Sequence, residues 1–202
     1  MRKNLRFTIL ILLIFFTSCS NKEKELQEKV QAYLDNYNKQ YQKLYYESSK
    51  AKWNLNTKII EGDTTASKDA REASEKLAKF TGSKKNSEKA KKYLKSANIL
   101  TELQVRQLRK ILYNAAENPE TAEEIVKEKI KVETEQTEKL FGFDFKIDGK
   151  SVTTNDIDEK LKKLTNTREM LKVWQASKEV GKGLKTGMAE LKDLRNKLVQ
   201  AL

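Results

Sequence analysis

The order of apolar and polar positions divides the chain into a succession of amphipathic helices. From residue 26 onward Val30, Tyr33, Leu34, Tyr37, Tyr41, Leu44, Tyr45, Trp53, Leu55 and Ile59 recur at helical spacing, which places an aromatic-rich stripe along one long helix. Gly62 and Asp63 end it. A second helix opens at Thr64 or Thr65 and turns Ala66, Ala70, Ala73, Leu77 and Phe80 inward, with Gly82 just past its end. Ser83 and Ser87 are candidate caps for a third, which carries Tyr93 and Leu94. Thr101 and Gln104 have the spacing of a capping box and open a fourth, with Leu103, Leu108, Ile111, Leu112 and Ala115 on its apolar face. Asn118 is expected to cap a fifth and Pro119 to fill its first position, ahead of Ile125, Val126, Ile130 and Leu140.

One stretch changes period. Phe141, Phe143, Phe145 and Ile147 alternate with Gly142, Asp144 and Lys146, and Asp148-Gly149 has turn chemistry before Ser151-Val152, so a short β-hairpin is expected near 141–152. Thr154 or Asn155 then caps a helix with Ile157, Leu161 and Leu164. Two more carry Met170, Leu171 and Trp174, then Leu184, Met188, Leu191, Leu194 and Leu198, with Gly181, Gly183 and Gly187 loosening the join. The expected class is mainly α. No repeat or proline-rich linker divides residues 26–202, which read as one domain or part of one. The chain stops at Leu202 in mid-helix, which reads as a chain cut short.

The N-terminus follows another pattern. Arg2, Lys3 and Arg6 precede the apolar run Phe7–Phe16, and Thr17-Ser18 lead to Cys19, the only cysteine. The run is too short for a membrane span, which needs about 20 helical residues. Residues 1–18 therefore read as a lipoprotein signal peptide and 19–25 as anchor and tether, with Cys19 the lipidation site. Phe16 stands where a lipobox usually has Leu, and the alternative is a free thiol after ordinary signal cleavage. A lipid on Cys19 would hold the chain to a membrane of the cell envelope, facing the periplasm or exterior.

Removing residues 1–18 lowers the formal charge from +12 to +9. Much of the excess lies in Lys84, Lys85, Lys89, Lys91, Lys92 and Lys95, interrupted by Glu88. Such a run suits an anionic partner, but it reads first as a solvated helix face. No base-edge readers or stacking module accompany it, so no nucleic acid is expected as partner.

The 202 residues contain no histidine. That removes Ser-His and Cys-His dyads, and with the one thiol committed to the anchor it removes an ordinary zinc site. No catalytic or metal residue is assigned. Asp144-x-Lys146-x-Asp148-Gly149 echoes a calcium loop, but Lys146 and Asn155 stand where oxygen ligands are required. Glu123-Glu124 suits a helix N-terminus. Trp53 and Trp174 are the remaining candidates, as core aromatics or as cleft-lining or lid residues.

A resemblance attaches to these tryptophans. Tyr33-Leu34-Asp35-Asn36-Tyr37 followed by Ala51-Lys52-Trp53-Asn54-Leu55-Asn56-Thr57-Lys58-Ile59 resembles the opening helix of the angiotensin-converting-enzyme family of zinc dipeptidyl carboxypeptidases, which typically reads Ala-x-Trp-x-x-Asn-Thr-Asn-Ile; Lys58 replaces the last Asn. Lys172-Val173-Trp174-Gln175-Ala176-Ser177 with Val180-Gly181 resembles the family's Trp-Glu-Gly-Trp segment and its Gly, without the second Trp. Thr137 to Phe145 looks like the bacterial branch.

The resemblance implies a large helical zinc peptidase that removes dipeptides from the C-termini of oligopeptides, with chloride as a further ligand in the family. This chain would be its N-terminal portion, covering the cleft as a lid and inactive alone. The family's His-Glu-x-x-His, its downstream Glu ligand and its oxyanion- and chloride-binding residues have no counterpart here, so zinc is expected in the full-length family and not in this chain alone. Oligopeptides would reach it only through the complete enzyme. The alternative is a non-catalytic helical lipoprotein that binds a peptide or protein partner.

Overall fold

The structure, a computed structural model, describes the backbone of residues 2–57 and 64–201 and the side chains of 22–57 and 64–201. Ile59, Gly62 and Asp63 lie outside the described residues, as do the side chains of Cys19 and of the signal segment. The class is mainly α, as expected. Among the described residues the elements are α1 (Arg2–Thr57), α2 (Thr65–Thr81), α3 (Lys84–Leu94), α4 (Glu102–Glu117), α5 (Glu123–Phe141), β1 (Phe145–Ile147), β2 (Lys150–Val152), α6 (Thr154–Lys163), α7 (Thr167–Lys178) and α8 (Val180–Gln200). They fall into two compact units, the first of Met1–Lys43 with Lys79–Glu120 and the second of Leu44–Ala78 with Thr121–Leu202. No helix among the described residues is long and apolar enough to cross a membrane.

The first unit packs α3 and α4 on the N-terminal part of α1. Its core joins Val30, Tyr33, Leu34 and Tyr37 to Ala90, Leu100, Leu108 and Ile111. Leu34, Leu108 and Val30 are wholly enclosed, and truncating such a side chain costs about 2–5 kcal/mol. The capping box at Thr101 and Gln104 forms as expected, with Thr101 Oγ1 accepting from the Gln104 N–H at 3.2 Å. Gln104 is 4% exposed, whereas the expected core residue Leu103 is 62% exposed. The buried positions 104, 108, 111 and 115 repeat at helical period, and Leu103 lies about 100° away from that row.

Helix α3 is capped by Ser83, whose Oγ accepts from the Asn86 N–H at 3.4 Å; Ser87 lies inside the helix. Asn118 does not cap α5. It ends α4 with φ −140° and ψ 56°, because a residue before proline is pushed out of the helical region. A 3-10 turn, Glu120–Ala122, separates Pro119 from α5, which starts without a side-chain cap.

The second unit is organised by α5 and α8. Ala78, Ala122, Val126, Ile130 and Leu198 form one core cluster, and Val132, Leu191 and Leu194 another. Met188 and Leu140, expected inside, are exposed. A third cluster places Phe145, Ile157 and Val173 between the hairpin, α6 and α7.

The hairpin pairs Phe145 with Val152 and Ile147 with Lys150 across Asp148 (φ 53°) and Gly149 (φ 76°), the two left-handed residues that a type I′ turn needs. Phe141 stays in α5, so the strands are shorter than the alternating run. Lys146 Nζ lies 3.3 Å from Asp144 Oδ2, where a calcium loop would hold a cation. Helix α6 is capped by Thr153, one residue before the expected position. Its hydroxyl and N–H both donate to Asp156, which holds that carboxyl below its usual pKa. The break between α7 and α8 falls at Glu179, and all three glycines expected at the join lie inside α8.

Candidate functional site

A polar cleft of about 360 Å³ opens within the second unit. Helix α1 contributes Lys52, Leu55 and Asn56, α2 contributes Ala70 and Ser74, α5 contributes Ile130, Glu133, Thr134, Gln136 and Thr137, and α8 contributes Leu191. Behind it, the buried hydroxyls of Ser48 and Ser74 meet at 3.4 Å. The Thr134 and Thr137 hydroxyls donate back to the carbonyls of Ile130 and Glu133, at 2.9 and 2.8 Å. That leaves their oxygens as acceptors.

Two of the three buried amide oxygens that lack a partner among the described residues belong to residues lining this cleft, the third being Gln107 Oε1 on α4. Gln136 is 7% exposed, and neither its Oε1 nor the enclosed Oδ1 of Asn56 has a hydrogen-bond partner. Leaving a buried acceptor unpaired costs about 1–3 kcal/mol. The other enclosed glutamine shows what a structural role looks like: Gln104 Oε1 accepts from the Thr101 N–H at 3.2 Å, and its Nε2 donates to the Gln27 carbonyl at 2.9 Å. Gln136 also meets α8 at Gly187, where a Cβ would overlap its amide.

The charges are unevenly matched. Arg195 Nη2 donates to Glu133 Oε1 at 3.1 Å, while Lys52 makes no ion pair among the described residues. Acceptor oxygens with a free ammonium suit a ligand that brings N–H donors and a carbonyl or carboxylate, which is the chemistry of a peptide. No histidine is present to pair with either hydroxyl of the buried Ser48–Ser74 contact.

The sequence profile described as angiotensin-converting enzyme, a peptidase family, matches residues 24–202. The chain belongs to the angiotensin-converting enzyme family of peptidases. No curated protein and no solved structure matches it. Membership carries peptide substrates and zinc dependence as general properties of this family.

The residues present do not fit the angiotensin-converting enzyme family's metal. Histidine is missing from the whole chain, and no three Cys, Asp or Glu side chains converge among the described residues. Zinc needs three or four such donors. No chemical step is therefore routed through a metal on these residues.

Within the family-matched segment, the two tryptophans are on different helices and form no ring pair among the described residues. Trp53 on α1 is 68% exposed and Trp174 on α7 is 51% exposed. Neither belongs to the core or lines the cleft. Lys178 Nζ lies over the Trp174 ring at 5.5 Å. The cleft residues Glu133, Gln136 and Thr137 were not singled out by sequence, because polar residues on an amphipathic helix read as outward-facing. One signal existed. Gln136 sits four residues, about one turn, after the buried Val132 of α5, opposite a helical glycine.

Proposed function

We propose that residues 24–202 form the peptide-binding wall and lid of an exported peptidyl-dipeptidase, an enzyme that removes C-terminal dipeptides, and that its zinc ligands come from outside these residues. The carrying observation is the pair of unpartnered amide oxygens, Asn56 Oδ1 and Gln136 Oε1, enclosed in one cleft. They would accept N–H bonds from an extended peptide, and the Lys52 ammonium would meet its carbonyl or carboxylate. Trp53 and Trp174 would shield the entrance as lid aromatics. A lipid on Cys19 would hold the chain at the cell envelope.

The test is calorimetric titration of the chain with an oligopeptide bearing a free C-terminus. Binding should weaken about tenfold in Gln136→Leu, the loss expected for one good hydrogen bond. Equal affinity in the two proteins would overturn the reading. Cys19 is tested by metabolic labelling with a fatty-acid analogue, and a label retained in Cys19→Ser would sink the anchor.

The complete absence of histidine also favours a second reading, a lipoprotein that binds a peptide or protein without cleaving it. Both readings give no hydrolysis by this chain alone. Chelator-sensitive hydrolysis by a purified, unaccompanied sample would overturn both.

A further inference from the structure

A dense run of lysines lies in the other unit, along α3 and its C-cap. Lys84, Lys85, Lys89, Lys91, Lys92 and Lys95 are all exposed. At 100° per residue they share an arc of about 160° on the face opposite Ala90, which is buried in the first core. Glu88 is the only acid in that arc, and it pairs with Lys84 at 3.9 Å. Beside it is a depression of about 550 Å³ walled by Lys84, Lys85, Lys89, Lys92 and Tyr93 together with two carboxylates, Glu88 and Glu120.

The asymmetry extends to the whole unit. Between residues 22–43 and 79–120 there are fifteen Lys and Arg against eight Asp and Glu, while residues 44–78 and 121–202 carry 23 against 21. The first unit thus carries a net +7 and the second a net +2, so most of the excess charge after the N-terminal segment belongs to the unit built around α3. Pairing within the helix does not neutralise it.

The position of α3 along the chain gives this face a direction. Tyr33 Oη donates to the Asn86 carbonyl at 3.0 Å, Tyr33 packs on Tyr93, and Gln27 Nε2 donates to the Ile99 carbonyl at 2.5 Å. The segment that follows α3 thus meets α1 at Gln27, nearer the N-terminus than Tyr33, and Lys95 is the lysine nearest in sequence to that contact. Eight residues connect Gln27 to Cys19, a reach of at most about 29 Å even when extended. A lipid at Cys19 would therefore hold the Gln27–Ile99 contact, just past the C-terminal end of the lysine helix, within that distance of the bilayer.

We infer that the lysine face of α3 docks on an anionic lipid surface and so orients the anchored chain. The inference rests on the reading of Cys19 as the point of membrane attachment and is independent of peptidase activity. Each lysine brought near an anionic bilayer strengthens association about fivefold, and the attraction is screened by salt. Six lysines suffice to select an orientation that the anchor alone leaves free.

The experiment is lysine footprinting of the full chain bound to vesicles, using an amine-acylating reagent with readout by mass spectrometry. In phosphatidylglycerol-containing vesicles, acylation of Lys85, Lys89, Lys91, Lys92 and Lys95 should slow about tenfold relative to pure phosphatidylcholine vesicles. Lys146 and Lys150 on the hairpin should be unchanged, and high salt should remove the protection. Lys85→Glu, Lys91→Glu and Lys92→Glu together should abolish protection of Lys89 and Lys95.

These side chains are exposed, so the triple variant should melt with the parent chain. Equal acylation in the two vesicle types would overturn the inference. Protection produced by an added oligonucleotide and not by the anionic lipid would also overturn it, in favour of a nucleic-acid partner. Failure of Cys19 acylation is read separately, from the mass of the N-terminal peptide.

Discussion

Gly187 on α8 lies directly against the amide of Gln136 on α5, with no room for a Cβ between them. Leu191 and Leu194 lock α8 onto Val132 of α5 in the turns that follow. Gly187→Ala therefore forces either the helix or the glutamine to move, and Gln136 has only the cleft to move into. The expected cost is about 1–3 kcal/mol, as for other overpacked sites. Urea denaturation should show it, and Gln136→Ala in the same chain should recover most of the loss by opening the space. If the double variant is as unstable as the sum of the two changes, the two residues are not coupled in this way.

The two buried glutamines should answer substitution in opposite ways. Gln136→Leu removes an acceptor that has no partner, and its stability should stay equal or rise by about 1 kcal/mol. Gln104→Leu strands the Thr101 N–H and removes the bonds that its amide donates to the Gln27 carbonyl and to Gln31 Oε1, and should cost about 2–4 kcal/mol. The comparison uses one residue type, one method and similar burial, so the partner count is the difference that remains. Equal losses would mean that Gln136 has partners after all and is structural.

The same pair shows how far the sequence could be read. The Thr101–Gln104 box and the Asp148-Gly149 turn were legible because each is a local device whose residues meet whatever the rest of the chain does. The Leu191, Leu194 and Leu198 stripe was legible because its spacing follows the helix. Tryptophan size misled: Trp53 and Trp174 read first as core, yet both are exposed and the buried residue of α7 is Val173, a neighbour on another phase of the helix. That phase depends on where the hairpin and α6 sit, which no local pattern encodes. Gly187 read as a loosening residue because a glycine's lack of a side chain looks the same in sequence whether it permits motion or close contact. The cleft was illegible for a related reason, since Gln136 turns inward only in the context of α8.

Tyr33 and Tyr37 give the fold a dependence on alkaline pH. Burial among the aromatic residues of α1 pushes both phenols up to about 12, from an ordinary value of 10.0. The folded chain keeps protons that the unfolded chain releases, so the stabilisation is complete below pH 10 and is lost as pH rises through 12. The loss should approach about 2 kcal/mol for each tyrosine across that window. Phenolate absorbance should show Tyr33 and Tyr37 titrating late, alongside Tyr113, which its hydrogen bond with Glu117 also raises, and one late group should disappear in Tyr37→Phe while the fold persists. Seven tyrosines titrating together in the folded chain would contradict this.

Met170, Leu171 and Trp174 occupy about 100° of the outer face of α7, and all three are exposed. Val173 in the same stretch is enclosed with Phe145 and Ile157. The proposed enzyme would cover such a face with its catalytic portion, so the isolated chain should bind an environment-sensitive dye there. Replacing the three residues with serine should reduce dye emission while changing stability by no more than about 0.5 kcal/mol per site. Val173→Ser should instead cost about 2–4 kcal/mol, since it places a hydroxyl in the small core that joins the hairpin to α6 and α7. Dye emission that survives the triple substitution would place the exposed apolar surface elsewhere. A large loss of stability in the triple variant would show that this face already has a partner within the chain.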